Sequence, residues 1–226
     1  MTVLLLHALP LDERMWAPQR AALADGDVAA PRLYGRGNRM EDWAREILAE
    51  VPGDLVVVGA SMGGYCALEL ARQAPERVRG LVLAGARIDG DSPERREGRA
   101  KTLDLIRERG AEGLWEDMRP KLFPPGETDA VELAHGLASA QRPDELAAAV
   151  EAIRDRRDSS DFVAGFERPI LLAVGESDPF FSPAEAEEAA AAAPSAQVRV
   201  FATGHLPSLG RPDEFNEVLD VFLAHV

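Results

Sequence analysis

The chain has 226 residues, 46% of them hydrophobic, and a formal net charge of -14. That length supports one sizeable core, and no composition shift marks a second independent domain, so one α/β domain carrying an insertion is the economical reading. The basic residues are interleaved with Asp and Glu rather than massed in runs, which argues against a nucleic-acid or anionic-membrane partner, and a single cysteine, Cys66, excludes an intrachain disulfide.

Residues 1–6 are apolar but lack a basic leader and are too short for a secretory core. No apolar stretch approaches the length of a membrane span, so no membrane partner and a cytoplasmic location are expected. Residues 3–6 read as a short buried strand ended by His7-Ala8-Leu9-Pro10. His7, at a strand end, is expected to hold its own loop through hydrogen bonds. Trp16 follows on a short helix with Leu23. Residues 28–33 form a weaker strand, Tyr34-Gly35-Arg36-Gly37-Asn38 marks a turn, and residues 41–51 form a helix with Trp43, Ile47 and Leu48 on one face.

Leu55-Val56-Val57-Val58 is a continuous apolar run suited to a strand buried on both faces, and Tyr65-Cys66-Ala67-Leu68 continues as a helix over residues 62–74 that stops before Pro75. Between them lies Gly59-x-Ser61-x-Gly63. In so tight a strand-to-helix turn the serine is held in a strained conformation, and the glycines remove side chains that would collide with strand and helix. Its hydroxyl is pushed out at the carboxyl edge of the sheet, with the helix N-terminus aimed at any oxyanion that forms. Cys66, on that helix, is expected to be a small buried packing residue. Residues 78–84 are the next strand.

From Arg87 the pattern becomes helical. Ser92-Pro93-Glu94 starts a helix through Leu103 and Ile106 that stops at Gly110. Leu114, Trp115, Met118 and Leu122 recur at helical spacing up to Phe123-Pro124-Pro125-Gly126, and two more helices carry Val131 with Leu137, and Leu146 with Val150 and Ile153. No strand interrupts this region. Residues 87–167 are therefore read as a helical cap inserted after the fourth strand, and residues 1–86 and 168–226 as the core. Residues 169–175 are another buried strand, leading into Glu176-Ser177-Asp178-Pro179. A helix over 184–193, a last strand over 197–201, Thr203-Gly204-His205-Leu206-Pro207 and an amphipathic helix with Phe215, Val218, Leu219, Phe222 and Leu223 complete the chain.

Strands alternating with helices imply a parallel sheet, and ligands bind beyond the carboxyl ends of such strands. Leu9 with its loop, Ser61, Asp178 and His205 all fall at such ends. Their order of nucleophile, acid and base separates the chain from chymotrypsin-like and subtilisin-like proteases. Serine needs an imidazole to take its proton and return it to the leaving group, and a carboxylate must orient that imidazole. Glu176 and Asp89 are rivals for the acid, as His135 and His225 are for the base, but neither histidine follows a strand. The backbone N–H groups of Leu9 and Met62 are the expected oxyanion donors.

The segments Leu6-His7-Ala8-Leu9-Pro10, Gly59-Ala60-Ser61-Met62-Gly63-Gly64, residues 74–83, Gly175-Glu176-Ser177-Asp178 and Gly204-His205-Leu206-Pro207 together resemble the α/β-hydrolase superfamily, close to compact carboxylesterases and 3-oxoadipate enol-lactonase-like hydrolases. The resemblance implies a Ser-His-Asp triad, a helical lid, and neither cofactor nor metal. Two departures stand out: Ala8 where the family usually has glycine, and no aspartate ahead of Gly35-Arg36-Gly37. There is no room for the hairpin with which the family often begins, so about six parallel strands are expected, in the order 4-3-5-6-7-8 by the family's strand names, with helices on both faces.

The function expected is hydrolysis of carboxylic esters or lactones of small, largely apolar substrates, in a pocket lined by Trp115, Met118, Leu122, Phe123 and Leu206, by a monomer or homodimer. Arg87, first in the cap, would receive a substrate carboxylate or form a surface ion pair. The alternatives are a perhydrolase, thioesterase or C–C bond hydrolase using the same triad, or a ligand-binding protein on the same fold with little turnover.

Overall fold

The apolar runs become six strands: β1 (Thr2–Leu6), β2 (Val28–Ala29), β3 (Leu55–Ala60), β4 (Val78–Ala84), β5 (Ile170–Gly175) and β6 (Ala196–Phe201). The computed structural model describes every residue except Asp25 and Glu127. The strands pair in the order β2-β1-β3-β4-β5-β6, every pair parallel, which is the order expected from the sequence. β3 and β5 are buried along their whole length, as strands covered on both faces must be. Side chains alternate between two cores: Leu55 and Val57 enter one cluster, Val58 and Ala60 the other.

β2 is shorter than the strand expected over residues 28–33. Pro31 has no N–H to give a neighbouring strand, so the ladder stops at Ala29. Beyond it the chain bends back, and the Leu33 N–H donates to His7 Nε2 at 2.9 Å.

The helices are α1 (Ala17–Ala22), α2 (Met40–Glu50), α3 (Met62–Gln73), α4 (Pro93–Leu122), α5 (Thr128–Ser139), α6 (Pro143–Arg154), α7 (Ser160–Ala164), α8 (Pro183–Ala191), α9 (Pro207–Gly210) and α10 (Pro212–Leu223). On one face of the sheet α2 and α3 bury Trp43, Ile47, Cys66 and Leu70, with Ala189 and Ala190 of α8 against the same cluster. Trp16, on a 3-10 turn before α1, and Phe215 and Leu219 of α10 fill the other face. The short α7 and α9 are additions to the sequence reading; each is a single turn or little more, too short for a periodic signal.

α4 to α7 all lie between β4 and β5. α4 begins at Ser92, whose hydroxyl accepts the Arg95 N–H at 3.3 Å. It is broken at Gly110, the expected stop, where φ is 63° and ψ -154°. The chain resumes as helix and continues to Leu122, so one element presents two differently aimed faces. Among the described residues no helix is long and apolar enough to cross a membrane.

Candidate active site

Parallel pairing brings the carboxyl ends of four strands to one edge. Leu6 is level with Gly59, Ala60 with Ala84, and Ala84 with Ala173, while Gly175 is level with Phe201. The loops after β1, β3, β5 and β6 therefore open on the same side, and they carry Leu9, Ser61, Asp178 and His205.

Ser61 ends β3 with φ 49° and ψ -111°, the one non-glycine residue with positive φ among those described. The strain is held from both sides. A Cβ at Gly59 would overlap the Gly63 carbonyl, and one at Gly63 would overlap the Leu6 carbonyl, so only glycine lets α3 start this close to β1 and β3. The Ser61 N–H donates to the Ala84 carbonyl at 2.7 Å, fixing the turn to β4.

His205 sits in the loop between β6 and α9, its N–H donating to the Leu122 carbonyl at 3.0 Å and its ring edge-on to Phe180, with centroids 4.7 Å apart. Its Nδ1 lies 2.8 Å from Asp178 Oδ2 and its Nε2 2.8 Å from Ser61 Oγ. An ionised carboxylate only accepts, so Nδ1 carries the proton and Nε2 keeps a lone pair for the serine hydroxyl to donate into. Asp178 is buried, and its other oxygen accepts the N–H groups of Phe180 (2.8 Å) and Phe181 (3.2 Å), which hold the carboxylate plane.

The loop after β1 is fixed just as tightly. Ala8 donates its N–H to Met15 Sδ at 3.2 Å, Leu11 donates to the Ala8 carbonyl at 2.9 Å, and His7 Nδ1 donates to the same carbonyl at 3.2 Å. His7 thus holds its own loop and that of Leu33 together; burial pushes its imidazole down to about 4, so it stays neutral. Among the described residues the N–H groups of Leu9 and Met62 have no acceptor, as an oxyanion site requires before substrate arrives.

The rivals lie elsewhere. Asp89 is bonded to Arg87 and Arg95. His135 stacks on Trp115 and bonds Glu112, while His225 bonds the Val221 carbonyl near the C-terminus. Cys66 is buried in the core, and burial pushes its thiol up to about 12.

A cavity partly open to solvent adjoins Ser61 and His205. Leu9, Tyr65, Met118, Ile153 and Phe180 line it, together with Arg87, Arg95 and Arg99. Of the five residues expected to line the pocket, Met118 does so. Trp115, Leu122, Phe123 and Leu206 are instead packed into the core cluster that contains Trp16 and Phe215. Trp115 and Leu122 lie on the second half of α4, Phe123 caps its end and Leu206 precedes α9, and all four apolar side chains go to the core. Arg87 takes its ion-pair alternative: it donates to Asp89 (2.7 and 3.2 Å), Glu185 (2.7 Å) and the Phe180 carbonyl (3.1 Å). Arg95 and Arg99 escaped sequence reasoning because Asp91, Arg95 and Arg99 recur at four-residue spacing, which reads as a solvated helix face. Among the described residues no group of three or more His, Cys, Asp and Glu is placed to hold a metal ion.

Residues 3–218 match the alpha/beta hydrolase family. A thermophilic esterase from Thermogutta terrifontis, solved with malate bound, is 31% identical, with a TM-score of 0.92 over 100% of this chain and 90% of that one. The enol-lactonase from Burkholderia xenovorans LB400 shares the fold at 24% identity, with a TM-score of 0.86 over 99% of this chain and 91% of that one. Among curated relatives, the pimeloyl-[acyl-carrier protein] methyl ester esterase of Aromatoleum aromaticum is 40% identical over 90 residues, 37% of this chain and 36% of that protein. The matched stretch thus spans about a third of that relative's length. The protein of the same name from Xanthomonas axonopodis pv. citri is 29% identical over 99% of this chain and 95% of its own.

Proposed function

The chain belongs to the alpha/beta hydrolase family, and from that premise we propose that it is a carboxylic ester hydrolase, an esterase or lactonase, working through an acyl-enzyme on Ser61. The observation that carries this reading is the continuous hydrogen-bonded line from Asp178 through His205 to Ser61, with both links at 2.8 Å. The esterases among its relatives support the same chemistry.

In this mechanism Ser61 Oγ attacks the ester carbonyl as its proton passes to His205 Nε2. Asp178 holds the Nδ1–H and stabilises the imidazolium. The developing oxyanion accepts the N–H groups of Leu9 and Met62, each worth on the order of 3 kcal/mol in the transition state. The tetrahedral intermediate collapses with proton transfer from His205 to the leaving alkoxide, so the alcohol departs and the acyl group remains on Ser61. Water then gives a proton to His205 and attacks the acyl carbon, and the serine leaves with that proton returned. A lactone follows the same steps, its alcohol staying attached to the acyl chain.

Residues 87–167 act as a cap in this reading. α4 supplies Arg95, Arg99 and Met118 to the cavity, and α6 supplies Ile153. The substrate is a small molecule, set against an apolar wall of Leu9, Met118, Ile153 and Phe180.

The test is steady-state hydrolysis of p-nitrophenyl acetate and of the lactone dihydrocoumarin by the parent, Ser61→Ala, His205→Ala and Asp178→Asn. Each substitution is expected to lower kcat by about 10^4-fold or more, with circular dichroism unchanged. Turnover of both substrates by Ser61→Ala at the parent rate would overturn the proposal.

A further inference from the structure

The cavity beside Ser61 is lined by three arginines and no carboxylate, in a chain whose net charge is -14. Behind it, four guanidinium groups share three carboxylates. Asp89 accepts from Arg87 and Arg95, and Glu185 from Arg87. Asp91, its side chain fully buried, accepts from Arg156 Nη1 at 2.6 Å and Arg99 Nε at 3.0 Å, and lies 3.5 Å from Arg95 Nε.

The three cavity arginines are unequally occupied. Arg87 spends its terminal nitrogens on Asp89, Glu185 and a carbonyl, and Arg95 bonds Asp89 (2.5 Å) and the Gly90 carbonyl (2.6 Å). Arg99 gives only its Nε–H, to Asp91; among the described residues its two terminal Nη groups have no acceptor. Its side chain is 23% exposed, enough to meet a ligand. Asp91, itself pinned by Arg156, fixes the plane of the fork and leaves its outer edge for a second carboxylate, the geometry a planar guanidinium matches with two parallel hydrogen bonds.

We propose that Arg99 is a specificity residue that binds a carboxylate carried by the substrate, so that the enzyme prefers small esters bearing one free carboxylate to neutral esters of the same shape. This rests on the ester-hydrolase reading above. The reacting ester sits at Ser61 and the anion at the outer edge of Arg99, with the apolar wall between them holding the connecting carbons.

The experiment compares monomethyl adipate with its neutral amide isostere, methyl 6-amino-6-oxohexanoate, and O-acetylglycolate with O-acetylglycolamide, which puts the anion on the acyl or the alcohol side. The parent is expected to favour at least one charged ester over its amide by about tenfold or more in kcat/KM, chiefly through KM. Arg99→Gln is expected to bring that ratio close to one, and Arg99→Lys to restore part of it. A parent that treats charged and neutral partners alike in both pairs would overturn the proposal. So would an Arg99→Gln enzyme that loses both members of a pair equally, since that marks a merely structural arginine. If no ester is turned over at all, the hydrolase reading is what fails, and calorimetric titration of Ser61→Ala with adipate decides the anion site. Binding weakened at least tenfold by adding Arg99→Gln supports it; absent or unaltered binding overturns it.

Discussion

His7 and His205 are both buried imidazoles at the same sheet edge, and their hydrogen bonds assign them opposite work. His205 is bonded to Asp178 and Ser61, whereas His7 Nε2 accepts the Leu33 N–H and its Nδ1–H goes to the Ala8 carbonyl. Burial takes His7 from 6.5 down to about 4. The unfolded chain therefore gains a proton between those values that the native protein refuses, so stability is full above pH 6.5 and is lost as pH falls toward 4. About 2 kcal/mol is expected to go between pH 7 and pH 5. Urea unfolding at both values is expected to show that loss in the parent and a smaller one in His7→Gln; equal losses would contradict the assignment. Glu185 does not confuse the measurement. Its bond from Arg87 holds its carboxyl down at about 2, so its contribution is lost only as pH falls from 4.5 toward 2. At this scale the positions of Ser61 and Asp178 were legible in the sequence because each follows a buried apolar run, and that of His205 because it follows the last strand, whose residues are exposed or half-buried except Phe201; strand ends are where a parallel sheet collects its chemistry.

At the scale of elements, two glycines decide how close the helices come to the site. Gly63→Ala would put a methyl into the carbonyl of Leu6, forcing α3 away from β1 and misaiming both Ser61 and the Met62 N–H. A kcat at least about 100-fold lower is expected, because misplacement of about 1 Å at a reacting group costs that much. Steady-state kinetics of the folded variant check it, and a parent-like kcat would contradict the turn's role. Gly110 is different: a Cβ there meets only Pro143 Cγ at 3.7 Å, so Gly110→Ala carries conformational strain rather than a collision. With φ 63° and ψ -154° that strain is worth about 1–3 kcal/mol, read as a lower urea midpoint. An unchanged midpoint would mean that α4 runs through the break as alanine without cost. Gly110 itself stood out in sequence as a helix stop. What did not stand out was that the break turns Trp115, Leu122 and Phe123 onto the core and leaves Met118 with Arg95 and Arg99 at the cavity. Helical spacing ranks apolar positions, but it does not say which neighbour a face meets, and the most apolar face went to the core. Likewise Pro31, not the apolar residues around it, set the length of β2.

For the whole molecule, the alternation of strand and helix made a parallel sheet readable before any contact was known, whereas the order of its six strands came from the resemblance to the α/β-hydrolase superfamily. Charge behaves differently. A net charge of -14 describes the surface, yet the cavity is lined by guanidinium groups, because Asp89, Asp91 and Glu185 sit behind the arginines rather than in front of them. Composition therefore argued correctly for an acidic chain with interleaved basic residues, and had no means of locating a cationic pocket within it. The acidic exterior is expected to leave the protein unretained on immobilised heparin at low salt; retention would reveal a basic surface that the charge distribution does not provide. The most direct measurement is a rapid-quench experiment with p-nitrophenyl acetate, reading nitrophenolate release in the first turnover and, by mass spectrometry, the peptide that holds Ser61. A burst near one equivalent, with acetyl on Ser61, is expected in the parent, and neither burst nor adduct in Ser61→Ala. Steady turnover by the parent with the acetyl group on another residue, or a burst that survives in Ser61→Ala, would contradict the acyl-enzyme on Ser61.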